Sequence, residues 1–273
     1  MLKLLYITNK KDVALAAENA GVDRIWIDLE TIGKEFRQKN LNTVKSKHSI
    51  DDIMTIAPFL SKSEMLVRIN PWNKNSKSEI DATINAGADI LMLPFWKTKE
   101  EVVNFLSYVN ERCRTILLLE TKEAVECIKE IVSLPLLDEI HIGLNDLRIS
   151  YGFGNMFVPF ANGLLDYLSD VFLHTGIPFG IGGIGKLGIG LLPSPEELII
   201  EHYRLGSTAV ILSRTFCNAE EFENAERVES IMTKEIGLLR AVEEKASRMS
   251  YSDFNSNHAK VVHALKGYYS HWE

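Results

Sequence analysis

About eight short apolar runs punctuate the chain, and segments of helical periodicity separate them. Leu2–Ile7 reads as a first strand, followed by a helix over Lys11–Ala20 that Asn9 caps. Arg24–Leu29 is the second strand, ending on Asp28 and Glu30. The polar, basic stretch Thr31–Ser49 predicts a long loop, after which Ile50–Leu60 resumes a helix. Glu64–Asn70 is the third strand, with Arg68 near its end and Pro71 stopping it. Ser76–Ala86 is helical up to Gly87, Asp89–Leu93 is the fourth strand, and Lys99–Arg112 a long helix. Ile116–Leu119 and Ile140–Ile142 are the fifth and sixth strands, flanking a helix at Thr121–Ile131. Ala161–His174, Ile177–Ile181, Glu196–Leu205 and Ala209–Leu212 complete the alternation, and helical segments follow at Ala219–Met249 and Ser256–Tyr269. Strands alternating with helices in this way predict a (β/α)8 barrel, better than an open doubly wound sheet. The expected organisation is a barrel over 1–216 and a C-terminal helical extension over 217–273 that crosses the barrel's base or reaches a neighbouring subunit.

The chemistry gathers around Thr115–Gly152. Two successive strands there each meet a carboxylate at or just past the C-terminal end, Glu120 and Asp146. In a parallel α/β sheet those ends share the face where ligands bind. Period-two alternation places Asp28 with Trp26, Arg68 with Leu66, and Glu120 with Leu118 and Ile116, so Asp28, Arg68, Glu120 and Asp146 can surround one cavity. Two carboxylates at such a mouth suit Mg²⁺ or Mn²⁺, which take oxygen ligands and retain exchangeable waters. The alternative is that Glu120 stabilises a helix start and Asp146 a turn. Arg68 reads equally as a bidentate clamp for a carboxylate substrate or as an internal ion pair to Asp28 or Glu30. The glycine-rich run Ile181–Gly190, with Gly182, Gly183 and Lys186, is a candidate phosphate cradle or flexible lid.

Composition narrows the classes. The chain has 273 residues, 46% hydrophobic and 25% charged, with a formal charge of −7. That suits a large soluble core and argues against broad binding to nucleic acid or an anionic membrane. An anionic substrate then needs a local basic pocket. Cys113, Cys127 and Cys217 show no CxxC spacing and read as reduced thiols of a cytoplasmic protein. No apolar run is long enough for a bilayer, and MLKLLYITNKKD is too short a run for a secretory signal. His48, His141, His174, His202, His258, His263 and His271 fall in no zinc spacing, and none is assigned as a base; His141 reads as a core histidine. No GxSxG elbow is present.

In five blocks the sequence resembles the HpcH/HpaI aldolase and citrate lyase β-subunit family of the phosphoenolpyruvate/pyruvate barrel superfamily. The blocks are AGVDRIWIDLE, LVRINPWN, GADILMLPFWKTKEEV, LLLETKEAV and DEIHIGLNDLRISYG, of which the Glu-Thr pair and the GxxDL motif are the specific part. The resemblance implies a divalent metal on Glu120 and Asp146, and Arg68 on the carboxylate and keto oxygen of a pyruvate-like substrate. It implies carbon–carbon bond cleavage or formation through a metal-stabilised enolate in a homo-oligomeric enzyme. The aldolase histidine after the second strand is replaced here by Thr31, and its partner aspartate by Lys74. The proton shuttle therefore stays open among bound water, Asp28, Glu30 and Lys34. A citrate-lyase-like Claisen enzyme acting on an acyl-CoA is the second expectation, with Lys34, Arg37, Lys39, Lys45 and Lys47 as a basic loop for the cofactor. A degenerate barrel that binds a metabolite or partner without turnover is the third.

Overall fold

The computed structural model describes residues 1–33, 48–218 and 224–268. Eight parallel strands close in sequence order into a barrel: β1 (Lys3–Ile7), β2 (Arg24–Asp28), β3 (Glu64–Arg68), β4 (Ile90–Leu93), β5 (Arg114–Leu119), β6 (Glu139–Ile142), β7 (Phe179–Ile184) and β8 (Ala209–Leu212). The ring closes where Lys3 to Tyr6 pair with Ala209 to Leu212. The (β/α)8 architecture expected from the alternation is the one observed.

Alternation along each strand separates two cores. Leu5, Trp26, Leu66, Ile90, Met92, Ile116, Leu118 and Ala209 fill the barrel interior. The intervening residues, such as Ile25, Ile27, Val67, Leu91, Leu117 and Ile140, pack outward under the helices. One turn below the interior apolar layer, the fully buried Arg24 makes a two-pronged bond to Glu139 (2.8 and 2.7 Å) and reaches Glu64 at 3.2 Å. A planar guanidinium joins the buried carboxylate of Glu139 to the half-exposed one of Glu64, so this plug closes the floor of the barrel.

The helices in the outer ring are α1 (Lys11–Asn19), α2 (Ile50–Ile56), α3 (Ser76–Asn85), α4 (Lys99–Val109), α5 (Lys122–Glu126), α6 (Ile128–Ile131), α7 (Leu144–Tyr151), α8 (Leu164–Thr175) and α9 (Pro195–Leu205). Capping boxes start α2 (Ser49 with Asp52), α4 (Thr98 with Glu101) and α9 (Ser194 with Glu197). Three local expectations change. The helix expected over 121–131 breaks at Cys127 into two short pieces. The cap of α1 is Lys10, with Thr8 Oγ1 rather than Asn9 accepting a backbone bond there. Asp146 lies in the first turn of α7, a helix the apolar pattern does not announce.

Two helices follow β8: α10 (Ala225–Ala246) and α11 (Tyr251–Leu265). Helix α10 packs between α1 and α9. Its Glu243 accepts the backbone N–H of Leu2 at 2.6 Å, and Arg240 donates to the Leu2 carbonyl at 2.8 Å. Helix α11 docks on α9, where the fully buried Glu201 accepts from Asn257 (3.0 Å), meets His258 (3.0 Å) and pairs with Arg204 (2.7 Å).

Candidate functional site at the barrel mouth

Asp28 and Arg68 are register partners at the C-terminal ends of β2 and β3. Arg68 donates from Nε to Asp28 Oδ1 at 2.9 Å and from Nη2 to Oδ2 at 2.8 Å, and Nη2 lies 3.3 Å from Glu30 Oε2. The guanidinium also sits 5.1 Å from the Trp26 ring, a cation–π contact with the floor of the mouth. Burial alone would lower the Arg68 pKa, but Asp28 and Glu30, with Glu120 adding to them, hold it above its usual range. Arg68 is therefore permanently charged, and the field of Glu120 reaches it.

Glu120 follows the last residue of β5 and is 3% exposed. Its Oε1 accepts the backbone N–H of Phe95 at 3.0 Å. Phe95 has φ of +50°, a left-handed conformation that a bulky residue adopts at a cost of order 1–3 kcal/mol. That conformation aims the amide at the carboxylate. Thr121 secures the same corner by donating to the Trp96 carbonyl (2.9 Å) and capping α5 (3.1 Å from Ala124 N). On the other side, a Cβ built on Gly143 would stand 2.7 Å from Glu120 Oε2. Glycine is thus required for β6 to pass into α7 beside that oxygen. Asp146, half-buried, is the third residue of α7, where the helix's positive end stabilises a carboxylate.

The second-strand loop is held by Asn70, which apolar patterning does not single out. Its Oδ1 accepts from Thr31 N and Ile32 N, both at 2.9 Å, while Nδ2 donates to Glu79 at 2.7 Å. His48 approaches the same edge, its Nδ1 accepting the Asp28 backbone N–H at 3.0 Å. Both contacts cross long stretches of sequence, so no local signal could have revealed them.

The expected residues divide clearly. Asp28, Glu30, Arg68 and Glu120 meet at one mouth, and Asp146 lies three residues beyond the glycine that abuts Glu120. Of the two readings of Arg68, the ion pair to Asp28 and Glu30 is what the structure contains. Gly182 has φ of +35°, and the Leu144 side chain fills the space its Cβ would need, 2.4 Å from Cδ1. Gly183 pairs with Ile211 on β8. Lys186 is turned to Glu235 of α10 at 3.2 Å, so its charge is already matched by a buried carboxylate. The basic residues Lys34, Arg37, Lys39, Lys45 and Lys47 lie outside the described residues. Among the described residues no group of three or more His, Cys, Asp or Glu side chains converges as metal ligands.

The family model for HpcH/HpaI aldolase/citrate lyase matches residues 3–156, more than half of the chain. A search among curated proteins finds no match. Solved structures share the fold at low identity. An HpcH/HpaI aldolase/citrate lyase family protein from Burkholderia cenocepacia J2315 is 15% identical, with TM-score 0.62, 81% of this chain and 91% of that chain covered. An HpcH/HpaI aldolase from Desulfitobacterium hafniense DCB-2 is 16% identical, with TM-score 0.59 and coverage of 78% and 86%. Protein CitE from Mycobacterium tuberculosis, in complex with magnesium and acetate, is 15% identical, with TM-score 0.56 and coverage of 95% and 96%. With its family model matched from the first strand to just past α7, the chain belongs to the HpcH/HpaI aldolase/citrate lyase family.

Proposed function

We propose that this protein is a divalent-metal-dependent carbon–carbon lyase acting on a 2-keto acid or related carboxylate. The observation that carries the reading is the mouth itself: Asp28 and Glu30 pair with the half-buried Arg68, the charge of Glu120 acts on the same guanidinium, and Asp146 stands in the first turn of α7. That balance suits a hard cation together with an anionic substrate. The donor set fits Mg²⁺ or Mn²⁺, since Glu120 and Asp146 offer oxygen only and leave coordination positions for water and substrate. Gly143 keeps the space beside Glu120 Oε2 clear, as a cation there would need. When bound, the ion supplies positive charge where negative charge develops on the substrate's keto oxygen.

The chain's own residues have separable parts in this reading. Phe95 N–H fixes the direction of Glu120. Asp28 and Glu30 hold the guanidinium plane of Arg68, leaving its Nη1 edge as the one a substrate carboxylate meets. Trp26 backs the guanidinium from below and excludes water from that side. A donor fork in such a site acts on developing charge without reorganising. The enzyme is expected to be a homo-oligomer, as the family resemblance implies. Among the described residues no helix is long and apolar enough to cross a membrane.

The test is deuterium exchange of the pyruvate methyl group in D₂O, followed by NMR with and without Mg²⁺ or Mn²⁺. Metal-dependent exchange that disappears in Glu120→Gln supports the reading; none with either metal removes it. A second reading, cleavage of an acyl-CoA substrate, is favoured by Thr31 and Lys74 standing where the aldolase pair would be. Coenzyme A binding that requires Lys34 and Arg37 would select it. The same two replacements favour a non-catalytic metabolite binder if neither substrate class reacts.

A further inference from the structure

The inward positions of the strands divide the mouth into two unlike halves. At β2, β3 and β5 they end in charge, with Asp28, Arg68 and Glu120. At β7, β8 and β1, which are neighbours around the closed ring, they end in Gly183, Ile211 and Ile7. Ile7 and Ile211 pack against the interior cluster that contains Leu5, Trp26 and Ala209, so both face inward. Every residue of that cluster is at most 2% exposed, whereas Ile7, Ile211 and Gly183 are half-buried. Each of the three is the last or next-to-last residue of its strand, so the side left uncovered is the one that faces the mouth.

Register makes these positions one strip. Gly183 pairs with Ile211, Ile211 with Leu5, and Ile7 with Trp26. Trp26 in turn backs the Arg68 guanidinium at 5.1 Å, so the strip begins beside the charged half. The glycines of β7 differ in what surrounds them. At Gly180 and Gly182 the room for a Cβ is taken by His141 and Leu144. At Gly183 a Cβ would meet only Ile211 O at 3.6 Å and Ser213 Cβ at 3.8 Å, ordinary contact distances, so open backbone lies beside Ile211. Polar groups past these strands engage one another: Lys186 pairs with Glu235, and the hydroxyls of Ser213 and Thr215 are 2.8 Å apart. Arg214 is exposed on the turn beyond Ser213. A charged group laid on such a strip loses hydration without gaining a partner, while an apolar one is favoured by leaving water.

We propose that the substrate carries an uncharged apolar arm, which lies on Ile7, Ile211 and the open backbone of Gly183 while its keto-acid end meets Arg68. The substrate class is then a 4-hydroxy-2-keto acid with an alkyl or aryl group on C4. This rests on the lyase reading above and narrows it. In cleavage the C3–C4 bond breaks. The C4 hydroxyl gives up its proton and becomes the carbonyl of an apolar aldehyde. The bonding pair stays with the pyruvate part as its enolate, and a proton returns to that carbon. Addition of pyruvate to the aldehyde is the same step reversed.

The test compares two aldehydes of equal chain length, butanal and 4-oxobutanoate, as acceptors for pyruvate with the full protein and Mn²⁺. Butanal should be preferred in kcat/KM by about tenfold or more, the discrimination a pocket of this kind supplies. Equal use of the two, or preference for 4-oxobutanoate, overturns the proposal; the second result would assign the arm to a cation such as Arg214. Ile211→Lys places an ammonium on the strip and should shift the ratio toward 4-oxobutanoate by about tenfold or more. Ile7→Lys makes the same change from β1 and serves if the first variant does not fold. A ratio that stays at the wild-type value in a folded variant also overturns the proposal, since a side chain that only fills the barrel predicts equal losses with both aldehydes. Pyruvate methyl exchange in D₂O separates the two levels of the argument. Exchange without addition to either aldehyde overturns the apolar arm and leaves the enolate reading standing. Absence of exchange removes that reading and the arm with it.

Discussion

Arg68 and Asp28 face each other across the β2–β3 seam with two parallel bonds, 2.9 and 2.8 Å, made by Nε and Nη2 to the two carboxylate oxygens. Their register pairing places both side chains inward at the same height, so the contact is built by strand geometry and does not depend on a loop. An arginine oriented this firmly presents its remaining edge in one direction.

Replacing the planar fork by a single ammonium therefore has two consequences. Arg68→Lys keeps the charge but loses one of two charged bonds to Asp28, a cost of about 1.5–3 kcal/mol in stability. Affinity for a carboxylate ligand such as oxalate should fall about tenfold or more, because the point charge no longer matches a planar anion. Urea melts and calorimetric oxalate titration read the two effects. Unchanged oxalate affinity would mean that Arg68 serves only its ion pair.

The metal assignment is tested without turnover. Glu120→Gln retains an oxygen that can accept the Phe95 N–H, so the fold should persist. Asp146→Asn sits in the first turn of α7 and should be similarly tolerated. Each should weaken Mn²⁺ binding at least tenfold, read by electron paramagnetic resonance of free Mn²⁺. Full affinity in either variant would exclude that residue as a ligand.

Gly143→Ala introduces a Cβ that would lie 2.7 Å from Glu120 Oε2 and 3.0 Å from its Cβ. The carboxylate, held by Phe95 on its other oxygen, has little room to retreat. Overpacking of this kind costs about 1–3 kcal/mol, and Mn²⁺ affinity should drop in parallel. A thermal melt with and without Mn²⁺ separates the two. A larger stabilising shift by Mn²⁺ than in the wild type would contradict the placement.

Acid should destabilise the barrel from within. Burial pushes the His141 imidazole down to about 4, and the fully buried His202 down to about 3. Both folded values lie below the unfolded one, so the unfolded chain binds more protons as pH falls. The contribution of each is complete above about pH 6.5 and is lost progressively as pH falls, down to about pH 4 for His141, by about 3 kcal/mol, and down to about pH 3 for His202. His141→Gln should flatten the fall of unfolding free energy between pH 6.5 and about pH 4 in urea titrations, even though its stability at pH 7 is lower. An unchanged slope would remove His141 as a source of it. The same residue explains Gly180, where a Cβ would stand 2.3 Å from His141 Nδ1.

Much of this protein is determined by the sequence alone, because its strands and helices are each encoded locally. Alternation of apolar positions sets β1 to β8 and the inward face of each strand, so Asp28, Arg68 and Glu120 could be assigned to one mouth from their parity with Trp26, Leu66 and Leu118. Turn residues and caps set most helix ends, as at Thr98 and Ser194. Where local signals were weak the expectation slipped: α7 is short and half polar, and Cys127 breaks a segment whose periodicity reads as continuous.

What only the tertiary structure decided is how polar groups far apart in the chain satisfy one another. Whether Arg68 pairs with Asp28 and Glu30, which amide orients Glu120, what holds Thr31, and which acceptor the Asp28 N–H finds all depend on loops converging on the barrel end. Lys186 shows the same principle: its charge suited an anion in the sequence, yet in the fold it meets the buried carboxylate of Glu235. Hydrophobic periodicity is a one-dimensional signal that records which face is buried. The partner of a buried donor or charge is chosen by distance in three dimensions, under the requirement that no such group be left without one.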